Sequence, residues 1–473
     1  MQIYNSLTRQ VEDFVPLTPG KVGMYTCGVT VYDYAHLGHG RKYVNDDCLR
    51  RVLTYNGYKV THVQNVTDVG HLVSDADEGE DKIEKGAIKS GKSVWETAEI
   101  FIQDFFLSME KLNILKPDII CRATDHIPEQ IELIKRLFDK GLAYDTPEAI
   151  YFDIARFPKY GQMLGQNMGE KLVGAREEVH TGSYKKHPTD FVLWFKLTGR
   201  FEKHVMQWDS PWGKGFPGWH IECSAMAMKY LGESFDIHTG GEDHLPVHHP
   251  NEIAQSEGAT GKPFAKYWFH TIFLLVDGRK MSKSLGNFYR IDDILEKGFS
   301  PIALRYLFMT AHYRSPLNFT WSSLTSAQRA LDKLKEFVGA RSSRPERTQL
   351  SEPKLKKIDQ YRAKFLNALN DDLNFPQALA VVWEMVKSNI PDYDKRELLL
   401  DWDQVLGLNL NSIQSEVVVP ELVKQLVQQR EDLRKSAKFA LADEVRKEIE
   451  LHGFLVKDTA NGTQISSRST SST

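Results

Sequence analysis

Cysteine is scarce in this chain, with four among 473 residues, at positions 27, 48, 121 and 223, and no C-x-x-C pair. Such spacing speaks against a disulfide framework and for a reducing, cytoplasmic setting. Long apolar runs are missing too. None reaches the roughly 18–20 residues of a membrane span, so no membrane partner is expected. The first residues, Met1-Gln2-Ile3-Tyr4-Asn5, hold no basic stretch followed by an apolar one, and no secretory leader is read there. Neither charge dominates: 60 Lys and Arg against 63 Asp and Glu give a net charge of −3. Binding of nucleic acid through a general basic field is thereby disfavoured, while local recognition stays open.

What is present is the composition of a globular protein, 41% apolar and 26% charged, which excludes global disorder and fibrous architectures. The length predicts two to four domains. Short β-rich runs alternate with helical patterns at first: a strand at Val22 to Thr26, a helix from His39 to Tyr55 with Gly57 after it, and a strand from Tyr58 to Val63. Ser93 and Glu96 form a capping-box pattern that opens a helix to about Leu112, and another helix starts near Pro128 and stops at Gly141. This rhythm predicts an α/β fold with a parallel-sheet catalytic core. From Tyr144 to Glu202 the pattern is irregular and reads as an insertion that splits the core. The rhythm returns with a helix from Gly218 to Leu231 and strands at Ser234 to His238 and Ile272 to Val276. Beyond Pro301 the chain turns helical, Arg341 to Pro353 reads as a linker, Leu422 to Ile449 is helical again, and the Ser/Thr-rich end from Gln464 to Thr473 reads as disordered. The predicted divisions are 1–125 and 206–300 for the two core halves, 126–205 for the insertion, 301–340 and 341–463 for two helical segments, and 464–473 for the tail.

Two clusters carry chemistry. His36-Leu37-Gly38-His39-Gly40 follows a strand and opens a helix, the place where α/β sheets receive phosphates on exposed N–H groups. Gly38 and Gly40 would let the backbone approach a ligand, and His36 and His39 can face the same way from one turn. Lys280-Met281-Ser282-Lys283-Ser284 follows an apolar strand. Two lysines on a polar loop suit a triphosphate whose charge shifts during reaction. Together these clusters resemble the two signatures of the class I aminoacyl-tRNA synthetases, the first with Leu37 where Ile is usual and the second without change. The resemblance implies a Rossmann-like core split by an insertion, with a mainly helical tRNA-binding region after it.

Cys27, Cys223, His248, His249 and Glu252 add two thiols, imidazoles and a carboxylate, a donor set suited to Zn2+. With Tyr25-Thr26-Cys27-Gly28-Val29-Thr30-Val31-Tyr32-Asp33, Asn65-Val66-Thr67-Asp68 and Asp190-Phe191-Val192-Leu193-Trp194, these pieces resemble the cysteinyl-tRNA synthetase family over nearly the whole chain. That resemblance implies one Zn2+ per subunit on Cys27, Cys223, His248 and Glu252. It implies cysteine against Gly28, Thr67, Trp219 and His238. It implies ATP with Mg2+ against Gly38, Gly40, Gly240, Gly241, Asp243 and Lys283, with His36, His39, Lys280 and Lys283 stabilising the phosphates. The implied partners are L-cysteine, ATP and tRNA-Cys, and the implied state is a monomer. Segment 301–340 would contact the tRNA stem and 341–463 its anticodon. Pro250, where an acidic residue is frequent, suggests that His248 precedes the helix, which leaves His249 with Glu252 as a rival pair. His244 reads as a solvated loop histidine, and Asp75, Asp77, Glu78, Glu80, Asp81 and Glu84 as a solvated acidic loop. Arg430, Arg434, Lys435, Lys438, Arg446 and Lys447 offer basic groups on the last helical stretch. A ligase joining cysteine to a small amine would not need the roughly 120 residues past the linker.

Overall fold

The computed structural model describes residues 1–69, 84, 87, 91–165, 184–282, 285–340, 351–411, 421–436, 438–451, 454–459 and 462–467. A sheet of five parallel strands lies at the centre, in the lateral order Ala265–Thr271, Phe235–Gly241, Lys21–Thr30, Lys59–Thr67, Ile119–Arg122. The chain starts in the middle strand, winds to one edge, then returns and winds to the other. Open parallel sheets bind ligands where the winding reverses, at the carboxyl ends of the two central strands. Here that point lies between Cys27–Thr30 and Gly240-Gly241. The edge strand Ala265–Thr271 is absent from the sequence-based expectation. It is buried on both faces, so its residues run Tyr-Trp-Phe-His without polar alternation and give no period-2 signal.

The helix Leu37–Tyr55 leaves the first strand and is buried on almost every side. The Ser93–Glu96 capping box forms as expected, with Ser93 Oγ accepting from Glu96 N at 3.2 Å and Glu96 Oε2 accepting from Ser93 N at 2.9 Å, and it opens the helix Val94–Lys111. The insertion is more regular than its sequence suggests. It contains an antiparallel sheet of Ala143–Asp145, Ala149–Phe152, Phe191–Lys196 and Gly215–Pro217. The last strand reaches past the expected boundary at 205 because Gly215–Pro217 pairs with Trp194–Lys196.

The helical part begins with Pro301–Met309, buried along its whole length, and continues through Trp321–Gly339, Glu352–Asn370, Phe375–Lys387 and Asp392–Leu406. One hydrophobic cluster runs from Val22 and Met24 of the sheet through Leu304 and Phe308 to Trp402 and Leu410. The core and these helices therefore share a single interior. The helical pattern read from Leu422 to Ile449 is two helices, Glu421–Lys435 and Phe439–Leu451, followed by the hairpin Phe454–Thr459/Gly462–Ser467. This hairpin takes in Gln464 to Ser467, the start of the segment expected to be disordered. Arg430, one of the basic groups read on this stretch, is buried. Of the expected linker Arg341 to Pro353, residues 341–350 lie outside the described residues, as do the acidic run at 75–81, Lys283, Ser284 and residues 468–473, whereas Glu352 and Pro353 already open the helix Glu352–Asn370. Among the described residues no helix is long and apolar enough to cross a membrane.

Candidate active site

The end expected to receive phosphate is built by the first turn of Leu37–Tyr55. His36 is its N-cap, in extended conformation, and its Nδ1 accepts from Gly38 N at 3.1 Å and His39 N at 3.3 Å. His39 Nδ1 in turn accepts from His36 N at 3.3 Å. The two rings stack with centroids 3.7 Å apart. This is a capping box made of two imidazoles, and it settles their tautomers. Both rings accept at Nδ1, so each neutral ring carries its proton on Nε2. Burial and the neighbouring His36 hold His39 well below the usual imidazole range, which keeps it neutral.

The second lysine-bearing cluster meets this helix end. Leu37 N donates to Tyr289 O at 3.0 Å, and His36 bridges Arg290. A Cβ placed on Gly38 would meet His36 Cε1 at 2.9 Å and Met281 Cε at 3.4 Å, so the two signatures touch at a glycine. Gly40 has a different role from the one expected. A Cβ there would lie 3.2 Å from Leu112 and Ile291 and 3.3 Å from Phe308, so its smallness serves packing inside the protein. Lys280 ends a tight hairpin in which Asp277 and Gly278 both have positive φ, +50° and +75°, as a two-residue type I′ turn requires. Asn287 steadies the loop: its Oδ1 accepts from Ser282 N at 2.8 Å and its Nδ2 donates to Lys280 O at 3.2 Å.

The thiol end lies across the switch point. Cys27 sits in a bulge of the first strand, where register shifts between Thr26 and Val29. Gly28 belongs to the same bulge. Its N donates to Asn65 Oδ1 at 2.6 Å, and a Cβ would fall 1.5 Å from the Asn65 carbonyl oxygen, so a glycine is required there by the neighbouring strand. Cys223 comes from the helix Trp219–Leu231, and His248, His249 and Glu252 from the helix His248–Thr260. His248 is the first residue of that helix, one turn below Glu252, so the expectation that it precedes the helix is corrected. Pro250 is the third helical residue, and the N–H it lacks is one that a helix start leaves without an intrahelical partner anyway.

Cys27 Sγ lies 3.9 Å from Cys223 Sγ, 3.7 Å from Glu252 Oε1 and 3.5 Å from His249 Nε2. His248 Nε2 is 3.0 Å and His249 Nε2 3.9 Å from Glu252 Oε1. Two overlapping sets could hold a metal ion: Cys27, Cys223, His248 and Glu252, or Cys27, His238, His249 and Glu252. All of these residues are buried. His238 Nε2 is 2.8 Å from Glu252 Oε2, and its ring stacks on Trp268 at 4.6 Å. His220 Nδ1 holds His248 Nδ1 at 2.8 Å, and His270 Nε2 holds His249 Nδ1 at 2.7 Å. Trp219 packs on His248 with centroids 4.2 Å apart, and Thr67 is buried nearby, bonded to Asn65 Nδ2 at 3.3 Å.

The electrostatics favour ionised donors. Burial opposes a thiolate at Cys223, but the Cys27 thiol and the His248 ring hold it down to about 6. Burial likewise opposes charge on His248, but Glu252 and Cys223 lift it to about 10. Glu252 is kept well below the carboxylate range by His238 and His248 despite its burial. The Cys27 thiol, pushed up by burial and by the hydrogen bond to Cys223, keeps its proton. The protons on Cys27 and His248 are the ones a dication would displace. A tetrahedral ion with metal–sulfur bonds of about 2.3 Å sets its two sulfurs about 3.8 Å apart. The Cys27–Cys223 separation fits that edge, and the mixed S, N and O donors fit a borderline-soft ion.

Several residues here escaped the sequence reading. His220 and His270 orient the two candidate imidazoles, and Lys42 donates to Cys27 O at 2.7 Å. A polar residue on a helix or a strand carries no sign of burial, and only the fold reveals these roles. His244 is no solvated loop residue. It packs beside Trp219, His248 and His249, and burial presses its ring down to about 4. Asp243, expected near the adenosine, is exposed at the end of the Gly240-Gly241 strand. Glu84, from the expected acidic loop, accepts from Val205 N at 2.7 Å.

A parallel sheet reversing at its centre, with the two lysine- and histidine-bearing signatures meeting above it, is the arrangement of the class I aminoacyl-tRNA synthetases. The family model for the tRNA synthetase class I (C) catalytic domain matches residues 13–329, and a DALR domain matches residues 364–389. A solved Mycobacterium tuberculosis methionyl-tRNA synthetase in complex with methionyl-adenylate shares the fold, with a TM-score of 0.55, 16% identity, and coverage of 82% of this chain and 90% of that one. Relatives of higher identity narrow the class. Cysteine–tRNA ligase 1 of Burkholderia lata is 46% identical, over 98% of this chain and 96% of its own length. The cysteine–tRNA ligase of Treponema denticola is 43% identical, over 98% and 99%. The chain belongs to the cysteine–tRNA ligase family.

Proposed function

We propose that this chain activates L-cysteine with ATP and transfers the cysteinyl group to the 3′-terminal adenosine of tRNA-Cys, with one Zn2+ per chain selecting cysteine over serine. The observation that carries the reading is the convergence of Cys27, Cys223, His248 and Glu252 in a buried cluster at the switch point, opposite the His36–His39 helix end. His248 is preferred over His249 because its set brings both thiols together, and His249 then stands behind it. When bound, zinc there supplies a soft Lewis-acidic contact that a substrate thiolate satisfies far better than a hydroxyl. Shape alone rejects so near an isostere poorly.

The chain's own groups do the rest. The cysteine carboxylate oxygen attacks the α-phosphorus in line, and the bond to pyrophosphate breaks. His36 and His39 donate from Nε2 to phosphate oxygens, a role their Nδ1 caps prepare. Lys280 and Lys283 follow the charge onto the leaving pyrophosphate, and Mg2+ accompanies ATP. Gly240, Gly241 and Asp243 line the adenosine side, and Thr67, Trp219 and His238 surround the amino acid. Segment 301–340 contacts the tRNA stem and 341–463 the anticodon, the chain acting as a cytoplasmic monomer.

Cysteine-dependent exchange of pyrophosphate into ATP, with serine as competitor, tests activation, and charging of tRNA-Cys tests transfer. Exchange without any charging would favour a ligase acting on a small amine. Equal exchange with serine would refute selection by the thiol.

A further inference from the structure

Lysine is seldom buried, because an ammonium loses its hydration there unless it is paired. Lys42 is nonetheless buried, one turn past Gly38 and His39 on the helix that receives phosphate. Its Nζ donates to the Cys27 carbonyl at 2.7 Å, and the Tyr43 hydroxyl donates to the same oxygen at 3.1 Å. That oxygen lies in the bulge, where the register of the sheet passes over Cys27 and Gly28. The helix therefore takes over a carbonyl that the ladder does not hold. Lys42 also pairs with Asp46 at 2.9 Å. Beside it, Thr239 of the strand with His238 and Gly240 donates to Thr26, one residue before Cys27, at 3.1 Å. The ammonium thus joins two elements, the helix with the phosphate-binding histidines and the strand with Cys27.

Resting on the proposed zinc and phosphate sites, we propose that Lys42 is a positioning residue that couples the two halves of the active site. It fixes the Cys27 backbone at the bulge and ties that thiol to the helix bearing His36 and His39. The thiol pocket and the phosphate pocket are then held in register by a single side chain, and nucleotide binding at one end steadies the ligand set at the other.

The test compares wild-type protein with Lys42→Met, which keeps most of the stem and removes the charged end, and with Tyr43→Phe, which removes only the second donor. Three quantities are read: the rate of zinc transfer to a chromogenic chelator with and without ATP, the KM for cysteine against that for ATP in pyrophosphate exchange, and the melting temperature. Loss of such an outer-shell partner typically weakens a metal site about 10–100-fold. Lys42→Met is expected to release zinc at least about tenfold faster and to raise the cysteine KM about tenfold. ATP is expected to slow zinc release from the wild type and not from Lys42→Met; wild-type release that ATP leaves unchanged would overturn the coupling. Tyr43→Phe moves both quantities the same way by about threefold, the scale of one hydrogen bond. If Lys42→Met does not fold, Tyr43→Phe decides alone. Lower melting temperatures with wild-type zinc release and wild-type KM values would make the contact merely structural and overturn the proposal. Wild-type protein that binds no zinc and exchanges no pyrophosphate with cysteine would overturn the site assignment instead.

Discussion

Arg305→Met tests whether the helix Leu37–Tyr55 is anchored from behind by an ion network. Arg305 is fully buried at the centre of that network. Its Nη2 donates to Asp47 Oδ2 at 2.6 Å, its Nε to Leu406 O at 2.7 Å, and its Nη1 to Leu112 O and Asn113 O at 3.2 Å each. Asp47 lies midway along Leu37–Tyr55, and Leu406 ends the helix Asp392–Leu406, so one guanidinium joins the active-site helix to the helical region. Methionine fills much of the volume but removes every donor. Asp47 would keep Arg51 at 2.7 Å and Leu115 N at 2.9 Å, whereas the Leu406 and Leu112 carbonyls would lose their Arg305 bonds. Two such losses at about 1–3 kcal/mol each agree with the 3–5 kcal/mol usual for breaking a buried pair. An unfolding entropy of about 2.1 cal/mol/K per residue, over a unit of roughly 400 residues, turns that into a fall in Tm of about 4–6 °C. Scanning calorimetry at pH 7 reads it directly. Burial alone would raise the Asp47 carboxyl, but Arg305 and then Arg51 hold it below its usual range. A depressed carboxyl stabilises the fold above its unfolded value, near 4, and that contribution is lost as pH falls through the folded value. The gap in Tm between wild type and Arg305→Met is therefore full at pH 7 and narrows below about pH 4. A Tm within about 1 °C of wild type at pH 7, or a gap that widens in acid, would refute the reasoning.

Three further outcomes follow from the site. Cys223→Ser should lose most of its zinc, measured by elemental analysis, and raise the cysteine KM at least about tenfold while leaving the ATP KM nearly unchanged; wild-type zinc content would remove Cys223 from the ligand set. Gly28→Ala should abolish soluble expression, because a Cβ 1.5 Å from the Asn65 oxygen forces two central strands apart; a soluble protein with wild-type Tm would contradict that packing. Asn287→Ala releases the Ser282 and Lys280 backbones and should lower kcat for pyrophosphate exchange about tenfold with the cysteine KM unchanged; an unchanged kcat would show that the loop needs no such staple.

How legible each feature was depended on how local its physics is. The Ser93–Glu96 box, the His36–His39 turn and the Asp277-Gly278 hairpin are fixed by residues a few positions apart, and the sequence pointed to the first two. Even so, the imidazole capping that orients His36 and His39 is visible only in the folded chain. The strand Ala265–Thr271 stayed hidden because burial on both faces erases alternation, and the small strands of the insertion because three or four residues hold too little periodicity to count. Cys27, Cys223 and Glu252 were named through family resemblance, since nothing within a few residues of Cys27 announces a partner 196 positions away.

The choice between His248 and His249 shows the limit of such reading most sharply. Spacings of four and three both bring an imidazole to the same face as Glu252, and here both come within 4 Å of its Oε1. What separates them lies outside their own helix. His248 is backed by His220 from the Cys223 helix, whereas His249 is backed by His270 from the edge strand. Lys42, Asp47 and Arg305 escaped for a related reason. Helix Leu37–Tyr55 is enclosed by the sheet, by Pro301–Met309 and by Asp392–Leu406, so its charged residues face protein where an ordinary helix would face water. A charged residue reads as solvated until the elements that enclose it are known. The residues hardest to find by pattern are therefore those that join one element to another: Lys42 joins the helix Leu37–Tyr55 to the strand of Cys27, and Arg305 with Asp47 joins it to the helical region.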